Sequence, residues 1–165
     1  MSVVADIALT WRHPRQLMRR KLAEGVREDR VLATLMAACG LMFLAQWPAL
    51  VRSATVDTTI PLQGRIGGAL LAMLFLAPLA FYAVAAISRL VARPFGAAVS
   101  GYRARLALFW SLFAVSPLVL VQGLLAGLIG PGWVLNGLGA LVLAVFAWTW
   151  GAAMREAFAP GVGVE

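Results

Sequence analysis

The chain is predicted to be an all-α, polytopic membrane helix bundle of four transmembrane helices, preceded by an amphipathic N-terminal helix. Three observations predict it. Four apolar stretches, residues 31–51, 66–88, 106–130 and 133–154, contain no Asp, Glu, Lys or Arg. Each is 21 to 25 residues long. At 1.5 Å of rise per residue, about 20 apolar residues cross the roughly 30 Å hydrocarbon core of a bilayer. The basic residues between the stretches alternate from rich to poor along the chain, as they do in multi-pass proteins.

The spans occupy 91 of 165 residues. Three regions follow: residues 1–30, a basic amphipathic segment in the cytoplasm or at the interface; 31–154, the transmembrane bundle; and 155–165, a short cytoplasmic tail. No room remains beside the bundle for a soluble globular domain. The N-terminus carries charge over about 30 residues before any long apolar run, which is unlike a cleaved signal peptide.

In residues 2–12, Val3, Val4, Ile7, Ala8 and Trp11 form one apolar stripe at helical spacing, with Asp6 and Thr10 off it. Ser2 is the expected N-cap. The helix is too short to span. It suits the headgroup region with Trp11 as an interfacial anchor, or else a cytoplasmic helix packed on the bundle's own loops. Pro14 suits the first turn of a second helix. That helix carries Leu17, Met18, Leu22 and Val26 on one side. Arg15, Arg19, Arg20, Glu24, Arg27 and Glu28 cover the rest, with Arg20 and Glu24 at i, i+4. Trp11, Arg15, Arg19, Arg20 and Lys21 are the expected contacts to anionic lipid headgroups; the alternative is that the basic residues only enforce topology.

Inside the spans, small residues mark expected helix contacts: Gly123 and Gly127 as GxxxG in the third, Gly68 and Ala72 in the second, Ala33 and Ala37 in the first, and Asn136, Ala140 and Ala144 on one side of the fourth. Pro78 and Pro117 predict kinks, because a proline removes a backbone donor and crowds the preceding turn. A full break at Ser116–Pro117 would divide the third stretch and give five spans; the charge alternation favours one kinked helix. Gly130-Pro131-Gly132 is too short for anything but a hairpin, so the last two spans are antiparallel neighbours.

Lys and Arg number seven in residues 1–30, two in 52–65, four in 89–105, none at 131–132 and one in the tail. With both termini cytoplasmic, twelve of the fourteen lie inside. The net charge of +7 therefore points to anionic lipid and topology, and away from nucleic acid. Trp47, Trp133, Trp148 and Trp150 near span ends suit aromatic belts.

The residues offer little chemistry. The one histidine, His13, precedes the first span, and the one cysteine, Cys39, lies within it as a small packing residue. No HExxH, CxxC or paired carboxylates occur. No catalytic residues, metal ligands or cofactor are expected. Ion and proton pathways usually place ionisable groups in the bundle. Here the intramembrane polar set is Gln46, Tyr82, Ser88, Ser111, Ser116, Gln122, Asn136 and Thr149. Each can be satisfied by one hydrogen bond, Ser111 and Ser116 through the backbone beside Pro117.

Three stretches resemble the Yip family, the Ypt/Rab-interacting proteins. Residues 5–36 place a short apolar helix, a proline and a basic helix ahead of a span. Residues 101–127 place Gly101 and a basic pair before a span with Ser116-Pro117 at its middle. Residues 141–158 end in a Trp-rich turn and exit at Arg155. The chain looks most like the short bacterial members. The resemblance implies a non-enzymatic integral membrane adaptor. Eukaryotic members commonly have five spans and act with Rab GTPases in vesicle traffic; this chain has four and an N-terminal segment too short for a GTPase-binding surface.

The function expected is a non-enzymatic multi-pass protein of a bacterial inner membrane that acts as a membrane-organising adaptor or scaffold. Its partners would be lipid and another integral membrane protein or a second copy. Two alternatives stand beside it: an accessory subunit of a respiratory or photosynthetic complex, and an oligomeric pore or small-molecule permease.

Overall fold

The computed structural model describes residues 3–92 and 100–158. Ser2, Arg93 and tail residues 159–165 lie outside the described residues. The described chain is helical: α1 (Val3–Arg12), α2 (Pro14–Ala23), α3 (Glu28–Val56), α4 (Leu62–Leu71), a π turn (Ala72–Leu76), α5 (Ala77–Ala92), α6 (Gly101–Ile129) and α7 (Trp133–Ala157). Helices α3, α4–α5, α6 and α7 are each long and apolar enough to cross a membrane. The protein is thus an all-α, multi-pass membrane protein of four spans.

The third apolar stretch is undivided. Pro117 sits inside α6 without ending it. A proline at this position leaves the carbonyl four residues earlier, that of Phe113, without its helical donor. Ser116 Oγ donates to that carbonyl at 2.7 Å. Ser111 likewise donates to Ala107 O (2.8 Å), and Thr149 to Val145 O (2.9 Å). Hydroxyls in the spans are thus engaged by their own helix backbone, as an apolar medium requires.

The second span answers Pro78 differently. The ladder widens to a π turn just before it, with Ala77 N–H reaching back to Ala72 O. A further proline, Pro48, lies inside α3. The second amphipathic helix ends earlier than its charge pattern suggests. Gly25 takes φ +85°, which breaks the chain between α2 and α3 and leaves Val26 exposed.

Helix α6 is the axis of the bundle and packs on α3, α5 and α7. Its first half is enclosed: Ala107, Leu108, Phe109, Ser111, Ala114 and Ser116 are buried. Phe109 meets Tyr82 of α5 edge-on at 5.0 Å, and Cys39 of α3 lies in the same cluster. The second half touches α3 by very close approach. A Cβ built on Gly123 would lie 1.8 Å from Ala45 O, and one on Gly127 would lie 2.3 Å from Pro48 Cβ. The GxxxG pair is therefore what lets α3 and α6 come together.

The other small-residue pairs do not pack inside. Gly68, Ala72, Asn136, Ala140, Ala33 and Ala37 are all exposed on the surface of the bundle. The α4–α5 span sits at the rim with almost none of its most apolar stretch buried.

Candidate functional site at the basic end of the bundle

The helix directions place α1, α2, the start of α3, the end of α5, the start of α6 and the end of α7 at one end. Eleven of the thirteen described Lys and Arg residues lie there. The two at the opposite end are both engaged locally. Arg52 donates to Gly127 O and Leu128 O, each at 3.2 Å, and so caps the carbonyl end of α6. Arg65 pairs with Asp57 at 2.7 Å.

At the basic end, α1 and α2 form a hairpin docked on α6 and α7. Its first helix is oriented opposite to an amphipathic helix in water. Asp6 and Thr10 are buried, while Val3, Val4 and Ala8 face outward. An apolar face turned out is stable where the surroundings are lipid. The buried polar side is fully partnered. Thr10 Oγ1 donates to Asp6 O (2.7 Å) and accepts from Trp110 Nε1 (2.9 Å). Asp6 takes Arg20 Nη2 at 3.2 and 3.3 Å, with Lys21 Nζ at 3.9 Å. Lys21 also stands over the Trp110 ring, 3.9 Å from its centroid. Trp11, the expected interfacial anchor, is 39% exposed, and its indole N–H donates to Ala114 O of α6 at 3.0 Å.

The second helix has ordinary polarity, with Leu17, Met18 and Leu22 buried. Arg19 holds the buried Glu156 of α7 through both carboxylate oxygens. That fork raises the Arg19 guanidinium above its ordinary value, through the hydrogen bond first and the opposite charge second. The link into α3 is fastened by Tyr102 Oη donating to Gly25 O at 3.0 Å and by an Arg105–Glu28 ion pair. Glu24 pairs with Arg30 at 3.4 Å, not with Arg20.

Of the expected headgroup contacts, Arg19, Arg20 and Lys21 thus face carboxylates of the protein itself, and Trp11 faces the backbone of α6. Among the described residues, Arg15 alone of these has no protein partner. It opens, with Arg12 and Arg155, onto a groove of about 500 Å³ between the α1–α2 corner and α7, which Trp148 and Gly151 floor. A second cleft of about 330 Å³ lies between α5 and α6 beside Arg89 and Arg105. Arg12 and Trp110 carry no signal of a site in the sequence, and Asp6, Thr10 and Arg155 read there only as off-stripe positions and as the exit of the last span. The one signal for the seam is the i, i+4 spacing of Asp6 and Thr10, which puts both on one side of α1.

Among the described residues no group of three or more His, Cys, Asp or Glu converges as a metal site. The arrangement offers hydrogen-bond donors and positive charge at a membrane surface. Comparison with family models, with curated proteins and with solved structures finds no match.

Proposed function

We propose that this protein is a non-enzymatic organiser of a bacterial inner membrane, an adaptor or scaffold with both termini in the cytoplasm. The observation that carries the reading is the rim position of α4–α5. This span packs inward on α3 and α6 along a narrow strip and leaves Leu71, Phe75, Leu76 and Leu79 outside, beside Gly68 and Ala72. Small residues let a neighbouring helix approach closely, and large ones beside them supply van der Waals contact. A second membrane helix fits that face, from another protein or from a second copy.

The orientation is supported by the concentration of basic residues at the hairpin end, and by the local engagement of Arg52 and Arg65 at the other. The resemblance to the Yip family points to the same adaptor role. The internal engagement of Ser111, Ser116 and Thr149 argues against a polar path through a single chain.

The test is affinity capture of the tagged full chain from native membranes in mild detergent, with a photo-crosslinking residue at Phe75. Crosslinks to one membrane protein, or to a second copy, at near-equal amounts are expected. A lone monomer crosslinked only to lipid overturns the reading.

A further inference from the structure

We propose that the groove between α2 and α7 is a binding site for an anionic glycerophospholipid, with the phosphate held by Arg12, Arg15 and Arg155. The site requires only that the chain lies in a bilayer and does not rest on the adaptor reading.

Charge is the first argument. Among the described residues, the groove is lined by Arg12, His13, Arg15, Arg19 and Arg155 and by no carboxylate. Glu156, the nearest acid along α7, is buried and already held by Arg19. Among the described residues, Arg12, Arg15 and Arg155 therefore share the groove with no carboxylate to offset their charge. Three like charges around one cavity repel, and an anion removes that cost. The α2 N-terminus opens into the same space, with Pro14 at its first position and no side-chain cap, which adds the positive end of a helix. Guanidinium forks match phosphate oxygens in geometry as well as charge.

The second argument is what lies beside the charges. The groove floor is the outer face of a membrane-spanning helix: Ala147, Trp148, Gly151 and Ala152. Ala140, Ala144, Ala147 and Gly151 recur at i, i+4, i+7 and i+11, so they line one side of α7. The three alanines are exposed, and nothing lies within 4 Å of a Cβ built on Gly151. These small side chains leave a strip of low relief along α7, running from the arginines toward the middle of the span. Trp148 of that floor is 66% exposed, and exposed indoles favour the membrane interface. A phosphate at the arginines with an acyl chain along the small residues uses both parts. A free anion would use only the first.

The experiment is native mass spectrometry of the full chain released from detergent, titrated with phosphatidylglycerol, with phosphatidylcholine and separately with inorganic phosphate. Phosphatidylglycerol is expected to bind one to one and more tightly than phosphatidylcholine. Arg15→Gln and Arg155→Gln are each expected to weaken it about fivefold. Arg27→Gln, an equal loss of charge at the same end but outside the groove, is expected to leave binding unchanged. Ala144→Leu, which puts a bulky side chain on that strip and keeps every charge, is expected to weaken phosphatidylglycerol as well. Equal loss with Arg27→Gln overturns the site in favour of general surface charge. Displacement of the lipid by millimolar inorganic phosphate, or an unaffected Ala144→Leu, overturns the lipid as occupant. Thermal melts of each variant identify any that fail to fold, and the Arg12→Gln variant then replaces that arm.

Discussion

Trp110 donates its indole N–H to the hydroxyl of Thr10 across 2.9 Å, joining residues one hundred positions apart. The bond ties the N-terminal hairpin to the central helix of the bundle. It also explains why α1 can turn its polar side inward. The same hydroxyl donates to Asp6 O, Asp6 faces Arg20 and Lys21, and Lys21 lies on the Trp110 ring. A helix with a polar inner side and an apolar outer side is held by hydrogen bonds and ion pairs on one side and by lipid on the other.

Trp110→Phe keeps a ring beneath Lys21 and removes only the donor. Thr10 keeps its own backbone bond, so the loss is about 1 kcal/mol, the net worth of one hydrogen bond. Hydrogen exchange of the α1 amides in micelles is expected to speed up about fivefold, with amides of α6 unchanged. Asp6→Asn is expected to do more, roughly 1–3 kcal/mol, because it withdraws the charge that two cations face. The figure lies below that for a fully buried pair because solvent screens the partly exposed cations. Unchanged α1 exchange in both variants would show that the hairpin is held by lipid alone.

Gly123→Ala is expected to destabilise the bundle by about 3 kcal/mol or more. The added Cβ would meet Ala45 O and C of α3, which are backbone and cannot rotate away. Helices α3 and α6 must then separate along the strip where they pack most closely. Gly68→Ala is expected to be neutral or slightly stabilising, since nothing lies within 4 Å of its new Cβ and alanine favours a helix. Reversible unfolding in mixed micelles, measured for both variants, checks the contrast. Equal effects would remove the distinction between the inner and outer small-residue pairs.

Ser116 and Pro117 form a local compensation. Ser116→Ala leaves the Phe113 carbonyl without a donor inside the membrane, at a cost of about 1 kcal/mol. In a Pro117→Ala background the backbone N–H at position 117 returns and reaches the same carbonyl. The serine effect is then expected to shrink toward zero. A double-mutant cycle measures the coupling directly. Additive effects would mean that the serine bond is independent of the proline.

The spans were legible because apolar length and missing charge are properties of the chain itself, whatever packs around it. Gly123 and Gly127 were legible as a close-packing pair, yet Gly68 with Ala72 and Asn136 with Ala140 share the same spacing and stay outside. Spacing places residues on one side of a helix; it does not say what meets that side. The polar seam was hidden for the same reason. Asp6 and Thr10 read as the wet side of α1, because in water the polar side faces out. Trp110 sits in a largely apolar span, where an indole reads as bulk until a hydroxyl is brought to its N–H. Arg155 looked like a topology signal, and only the packing of α2 on α7 gathers it with Arg12 and Arg15.

At the opposite end, the turn after α3 is predicted to resist acid. Asp57 Oδ1 accepts from the Thr59 hydroxyl at 2.6 Å and its backbone N–H at 3.0 Å, and Oδ2 accepts from Arg65. These bonds, the Thr59 hydroxyl foremost, hold the carboxyl at about 2, below its ordinary 3.8. The folded form binds its proton less readily than the unfolded chain does. The stabilisation is therefore complete above pH 3.8 and is lost as pH falls from there toward 2. Thr59→Ala removes the foremost of these donors while leaving the backbone N–H and Arg65 in place. It is expected to raise the Asp57 titration midpoint more than Arg65→Gln does, although Arg65 carries the charge. Carboxyl carbon shifts of Asp57, followed by NMR between pH 2 and 5, distinguish the two variants. A larger shift in Arg65→Gln would make the Arg65 hydrogen bond and charge together, and not the Thr59 hydroxyl, the dominant cause.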